Sequence, residues 1–208
     1  MRIEILLTVV FLSLLHGLVP SHWVPVMGLK KQYGWTLEKT IRIVAVISVA
    51  HILSTVIIGV IVGIVGYYAA NFLLPVFSIK VFSSVILFLL GVYFIYRHAY
   101  HHHFHLYHKE ALMKQNIMNK QIRLLILAMF FSPCMEITGM YFVGGVLNGH
   151  YIAVISLIYF IISFLSSLFW IFFFDTLAEK INFHKLEHNS GLMSGLSLIV
   201  SAFLVYAI

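Results

Sequence analysis

Runs of apolar residues, each about as long as a bilayer-spanning helix, alternate along this chain with short polar intervals. A helix needs roughly 20 predominantly apolar residues to cross a hydrocarbon core. By that rule six segments qualify, at about 5–28, 43–65, 73–96, 124–147, 151–174 and 191–208. Proline, which has no N–H to give a helix interior, interrupts the first at Pro20 and Pro25 and the fourth at Pro133. The pattern predicts an all-α polytopic membrane protein. A three-helix half (1–96), a polar loop (97–123) and a second three-helix half (124–208) follow one another, and each half opens on a broken span. Interrupted segments at corresponding places point to a repeat with its binding site between the halves. Three spans per half bring the second half in from the opposite face, as a 3+3 inverted repeat requires.

Composition narrows this picture. The 208 residues are 62% hydrophobic and 10% charged, which leaves nothing for a soluble catalytic domain, so no enzyme is expected. Residues 1–15 look like a signal peptide but lack a small-residue cleavage site and run into further spans, so they are read as a retained helix. The net charge of +6 has a topological explanation. Lys30, Lys31, Lys39 and Arg42 follow span 1; Arg97, Lys109, Lys114, Lys120 and Arg123 follow span 3; Lys180 and Lys185 follow span 5. Only Arg2 and Lys80 fall on the other side. Basic loops stay in the cytoplasm, so a cytoplasmic (inner) membrane protein with both termini outside is expected, and nucleic acid is not an expected partner.

Polar groups then recur at one depth. His16 lies at the centre of span 1 in His16-Gly17-Leu18-Val19-Pro20-Ser21-His22, and His51 at the centre of span 2. Ser132-Pro133-Cys134-Met135-Glu136 lies at the centre of span 4. Ionisable groups at bilayer depth are costly and mark functional sites, usually facing one another inside the bundle. Imidazole suits zinc, copper, iron and nickel, and thiolate shifts the preference toward softer ions. His16 and His22 lie about 240° apart on an ideal helix, so their convergence needs the chain to unwind at Pro20. Glu136 has three open roles: counter-charge, proton-coupling group or ligand. A membrane histidine also serves simply by hydrogen-bonding a neighbouring helix.

The central loop carries six histidines in eleven residues, 98–108, a compositional sign of metal affinity. His98, His101, His105 and His108 follow one helical face, with His102 and His103 beside them, while Tyr96, Tyr100, Phe104 and Tyr107 form a second stripe. Such a loop collects, senses or buffers metal, or merely supplies polarity to an interfacial helix. His184 and His188 flank Glu187 in another basic loop and read as solvated side chains. Asp175 ends span 5, and His150 sits in a tight turn with Asn148 and Gly149. Gly59 with Gly63, and Gly191 with Gly195, are spaced for close helix packing.

In this order the motifs resemble the nickel/cobalt efflux (NicO-type) family, within the superfamily of amino-acid exporters and CcdA-like thiol transporters. They are the H-x-x-x-P-x-H of His16 to His22, the Gly34-Trp35-Thr36-Leu37-Glu38-Lys39 loop, and His51-Ile52-Leu53-Ser54-Thr55. The histidine-rich loop and Pro133-Cys134 complete the set. The resemblance implies secondary transport of a divalent transition-metal ion, outward and with possible proton coupling, along His16, His22, His51 and the Pro133–Cys134 region. Val19 stands where the family usually has an acid, and Met135-Glu136 where another proline is common. The ion therefore stays open among nickel, cobalt, zinc, iron and copper. The expected partners are the lipid bilayer and the metal ion, with a homo-oligomer left open. The alternatives are a non-transporting membrane metallochaperone and a thiol shuttle. The thiol shuttle needs a cysteine pair, and Cys134 is the single cysteine.

Overall fold

In the computed structural model, residues 3–19, 23–71, 76–100, 115–176 and 190–207 are described, and all their regular structure is helical. The helices are α1 (Ile3–Leu18), α2 (Val24–Tyr33), α3 (Leu37–Asn71), α4 (Val76–Tyr100), α5 (Gln115–Phe130), α6 (Thr138–Leu147), α7 (His150–Thr176) and α8 (Ser190–Ala207). α3, over Leu37–Ala70, and α7 are long and apolar enough to cross a membrane. Ile3–Leu18, Val81–Tyr96, Thr138–Leu147 and Leu192–Ala207 are shorter apolar helices.

Both expected breaks are present as separate helices. The first apolar run divides into α1 and α2. Pro25 falls in the first turn of α2, where its missing N–H leaves no helical bond unmade, and Gly34 closes α2 in the left-handed conformation at φ 62°. The second break, over 131–137, separates α5 from α6. The polar interval is shorter than the expected 97–123, because α4 runs on to Tyr100 and α5 starts at Gln115. The early start has a packing cause. Met118, Ile122, Leu125, Ile126 and Met129 recur at helical spacing and pack into one apolar cluster, so this polar-looking stretch gains a buried face.

The helices are apolar outside and polar within. α1 turns Ile3, Leu7, Phe11, Leu14 and Leu18 outward and buries Thr8, Ser13 and His16 among Ile5, Val9 and Leu12. α3 exposes Val46, Val49, Leu53, Ile57, Ile61 and Ile64 while burying Ser48, His51, Ser54 and Thr55. An apolar surface of this extent is an aggregation liability in water and an ordinary solvated surface in hydrocarbon.

Two apolar clusters fill the interior. One gathers Ile5, Val9, Leu12, Ile52, Ile137, Met140, Tyr141, Ile155 and Tyr159; the other gathers Trp23, Val26, Met27, Trp35, Val44, Ile47, Met118 and Ile171. α3 and α7 each run from one cluster into the other, as do the two broken segments. His16, His51, Ser54, Thr55, Ser163, Ser166 and Ser167 are buried polar residues of these helices, and Cys134 is half-buried beside them.

Close backbone approach fixes the helix pairs. A Cβ on Gly145 of α6 would overlap the Gly63 carbonyl of α3. Gly91 of α4 and Gly195 of α8 meet reciprocally, each Cβ position lying 2.8 or 2.9 Å from the other's carbonyl oxygen. Gly17 of α1 is pressed against Ser166 of α7. Gly145→Ala is expected to destabilise the α3–α6 pair by about 1–3 kcal/mol, the usual range for overpacking. Gly149→Ala, whose added methyl meets only the Tyr67 ring at 3.7 Å, should be near neutral. Thermal unfolding of both variants in nanodiscs measures the difference.

Candidate metal centre

The site is assembled around the break between α5 and α6. A helix break leaves backbone groups without intrahelical partners, and these must be satisfied inside the bundle. α3 does this with two side chains one turn apart. His51 Nδ1 bonds the Met129 carbonyl oxygen at 3.0 Å, and Thr55 Oγ1 accepts the Cys134 backbone N–H at 3.1 Å. One closes the end of α5 and the other holds the chain that follows.

Those bonds set the chemistry of the ring. A carbonyl oxygen only accepts, so His51 carries its proton on Nδ1, and in the neutral ring Nε2 is left as an acceptor. Cys134 Sγ lies 3.4 Å from that Nε2. A histidine whose second nitrogen donates to a backbone carbonyl is oriented as metal-ligating histidines are. Ser54 Oγ and Thr55 Oγ1 also donate to the His51 carbonyl, at 2.9 and 3.0 Å, and Thr138 Oγ1 donates to the Cys134 carbonyl at 3.1 Å.

α1 supplies His16 from its last turn, 2% exposed. Its ring stacks on that of His51 with centroids 5.3 Å apart and planes 7° from parallel. The buried Tyr159 ring of α7 tilts against it at 5.5 Å. Glu136, also buried, places Oε2 at 3.5 Å from His16 Nδ1, and its Oε1 accepts the Ser197 hydroxyl of α8. One potential ligand atom from each of His16, His51 and Cys134 lies within 4.8 Å of the others. Glu136 stands beside this group of three, against His16.

Four of the expected metal residues, His16, His51, Cys134 and Glu136, are thus brought together. His22, His101, His102, His105 and His108 lie outside the described residues, as do His184, Glu187 and His188. His98 belongs to the last turns of α4, and nothing is described of its side chain. His16 reaches the group from the last turn of α1; its convergence with His22 through unwinding at Pro20 falls on residues outside those described. His150 opens α7, its N–H bonded to Asn148 Oδ1 at 3.0 Å, which is turn chemistry. Asp175 pairs with Lys30 where α7 meets α2, and partial burial pushes the Lys30 ammonium below its usual range.

Sequence reasoning had not assigned Thr55, Tyr159, Ser197 or the Met129 carbonyl to the site. Thr55 was signalled by its position one turn after His51. Ser194, Ser197 and Ser201 share one face of an apolar helix, which was the signal for Ser197. The Met129 carbonyl had none.

Comparison of the chain with family models, with curated proteins and with solved structures returns no match. The functional reading therefore rests on the site itself.

Thr55→Val keeps the shape of Thr55 but removes the acceptor for the Cys134 N–H. It should destabilise the protein by about 1–3 kcal/mol, the cost of an unsatisfied buried donor, while Thr55→Ser should restore most of the loss. Unfolding in nanodiscs would show the split between the two variants, and equal melting would refute the splint.

Proposed function

We propose that this chain is an integral protein of the cytoplasmic membrane that transports a transition-metal cation, with His16, His51 and Cys134 as its binding site. One observation carries the reading: two imidazoles and a thiol from three separate segments, α1, α3 and the break between α5 and α6, converge within 4.8 Å inside the bundle. Interrupted helices at corresponding places in two halves are where transporters of the repeat type place their binding sites.

The 3+3 inverted repeat is part of the proposal. Exchanging α1 for α5, α2 for α6, α3 for α7 and α4 for α8 turns the α1–α7 contact into α5–α3 and the α2–α3 contact into α6–α7, all of which exist among the described residues. The extensive α3–α6 contact has only a weak counterpart in α2–α7, where Lys30 meets Asp175. The same exchange maps the α3–α7 and α4–α8 contacts onto themselves. The reciprocal meeting of Gly91 and Gly195 agrees with a pseudo-twofold axis passing near that crossing. The family resemblance supplies the outward direction, and the loop of 98–108 would collect ions on the cytoplasmic side. The runner-up is a membrane metallochaperone, which the histidine-rich loop favours and the placement of the site at a helix break inside the bundle does not.

In vesicles reconstituted with the full chain, metal should enter along its gradient. His16→Ala and His51→Ala should reduce the rate to that of empty vesicles. Deleting 98–108 should alter mainly the concentration for half-maximal rate. Binding without flux by the intact protein would favour the accessory role and end the transport proposal.

A further inference from the structure

The resemblance leaves nickel and cobalt as the first candidates, but the donor geometry points to a four-coordinate, thiolate-accepting dication of the zinc class as the cargo. This inference rests on the transport reading and narrows it: His16, His51 and Cys134 bind the ion, and Glu136 supplies the fourth donor.

Distances carry the first step. Zinc bonds nitrogen at about 2.0–2.1 Å, thiolate sulfur at about 2.3 Å and carboxylate oxygen at about 2.0–2.2 Å, so tetrahedral angles place N and S about 3.6 Å apart and N and O about 3.4 Å apart. Right angles with the same bond lengths give roughly 3.1 and 2.9 Å. His51 Nε2 and Cys134 Sγ are 3.4 Å apart, and His16 Nδ1 and Glu136 Oε2 are 3.5 Å apart. Two pairs of donors, sharing no residue, are therefore spaced like opposite edges of a tetrahedron. The pairs stand too far from one another, since the His16, His51 and Cys134 ligand atoms spread over up to 4.8 Å and Glu136 stands outside that group of three. Binding requires the His16–Glu136 pair to close on the His51–Cys134 pair.

Donor number and charge give the second step. A six-coordinate ion needs two donors beyond these four, from water or from neighbouring hydroxyls such as those of Ser54, Thr55 and Tyr159, whereas a four-coordinate ion is complete with two imidazoles, a thiolate and a carboxylate. Glu136 Oε1 takes the Ser197 hydroxyl, while Oε2 accepts no hydrogen bond among the described residues and faces His16. A buried carboxylate oxygen in that position is an available ligand. When Cys134 coordinates as thiolate, its proton released to water as the ion enters, the dication, thiolate and carboxylate sum to zero charge. A neutral assembly is what an apolar interior tolerates. Thiolate and imidazole together suit zinc, whereas a carboxylate does not suit the soft monovalent copper ion.

Co2+ serves as the spectroscopic probe, used on the full chain in nanodiscs. The expected spectrum has intense visible bands of tetrahedral Co2+ and a near-ultraviolet thiolate-to-metal charge-transfer band. Zn2+ should bleach both at one equivalent, and an equal concentration of Ni2+ should not. Cys134→Ser should lose the charge-transfer band. Glu136→Gln should weaken Zn2+ binding at least tenfold, with Glu136→Asp retaining part of it. Weak octahedral bands without charge transfer, or Ni2+ displacing Zn2+, would overturn the zinc-class assignment and leave metal transport standing. Absence of any Co2+ or Zn2+ binding would overturn both. A tetrahedral spectrum in a protein that moves no metal in vesicles would support the assignment and remove transport alone.

Discussion

A break in a helix buried among apolar side chains must have its backbone groups satisfied by protein, and the break between α5 and α6 is where this chain meets that constraint. α3 resolves it with His51 and Thr55, one turn apart on the same face. The consequence is chemical as well as structural. The Met129 carbonyl, which also accepts the Ser132 N–H at 3.3 Å, fixes the His51 tautomer, and the bond that satisfies the Cys134 N–H brings its thiol to the other ring nitrogen. The bland reading of a membrane histidine, a hydrogen bond to a neighbouring helix, is met by one ring nitrogen of His51, and the other nitrogen faces the Cys134 thiol.

The same constraint orders the remaining polar groups. Glu136 follows Cys134 by two residues and reaches Ser197 of α8 on one oxygen and His16 of α1 on the other. A carboxylate placed there draws two further helices toward the break. Several buried serines return their hydroxyls to backbone carbonyls one turn earlier, as Ser13 does to Val9 and Ser167 to Ser163. The two apolar clusters each take contributions from α3, α7 and both broken segments.

Much of this was legible in the residues. Proline at two places announced the breaks, and six apolar runs announced the helices. His16, His51, Cys134 and Glu136 could be placed together because residues at the middle of apolar runs share a depth whatever the packing angles. What was not legible depends on rotation and register. Ser197 meets Glu136 only because α8 presents that face, and no property of an isolated serine indicates it. The start of α5 at Gln115, ahead of the apolar run at 124–147, was not read because hydropathy was weighed over a whole span. The repeat of Met118, Ile122, Leu125, Ile126 and Met129 would have found it. The Met129 carbonyl is beyond any reading of side chains, since a backbone acceptor becomes special only where a break uncovers it.

The close contacts between helices also decide how the side chains of the site are held. Cys134 is tied to α3 through Thr55, and α3 is locked to α6 by the close approach of Gly63 and Gly145. His51 and Cys134 are therefore held together through backbone contacts. His16 is fixed on α7 instead, because Gly17 beside it is pressed onto Ser166, and α7 in turn packs along α3. At the site His16 meets the others through the stack of its ring on that of His51 and its approach to Glu136, neither of which is a backbone bond. The 3.4 Å pair of His51 and Cys134 is thus built by the same contacts that repair the helix break, while His16 joins it through ring and carboxylate contacts alone.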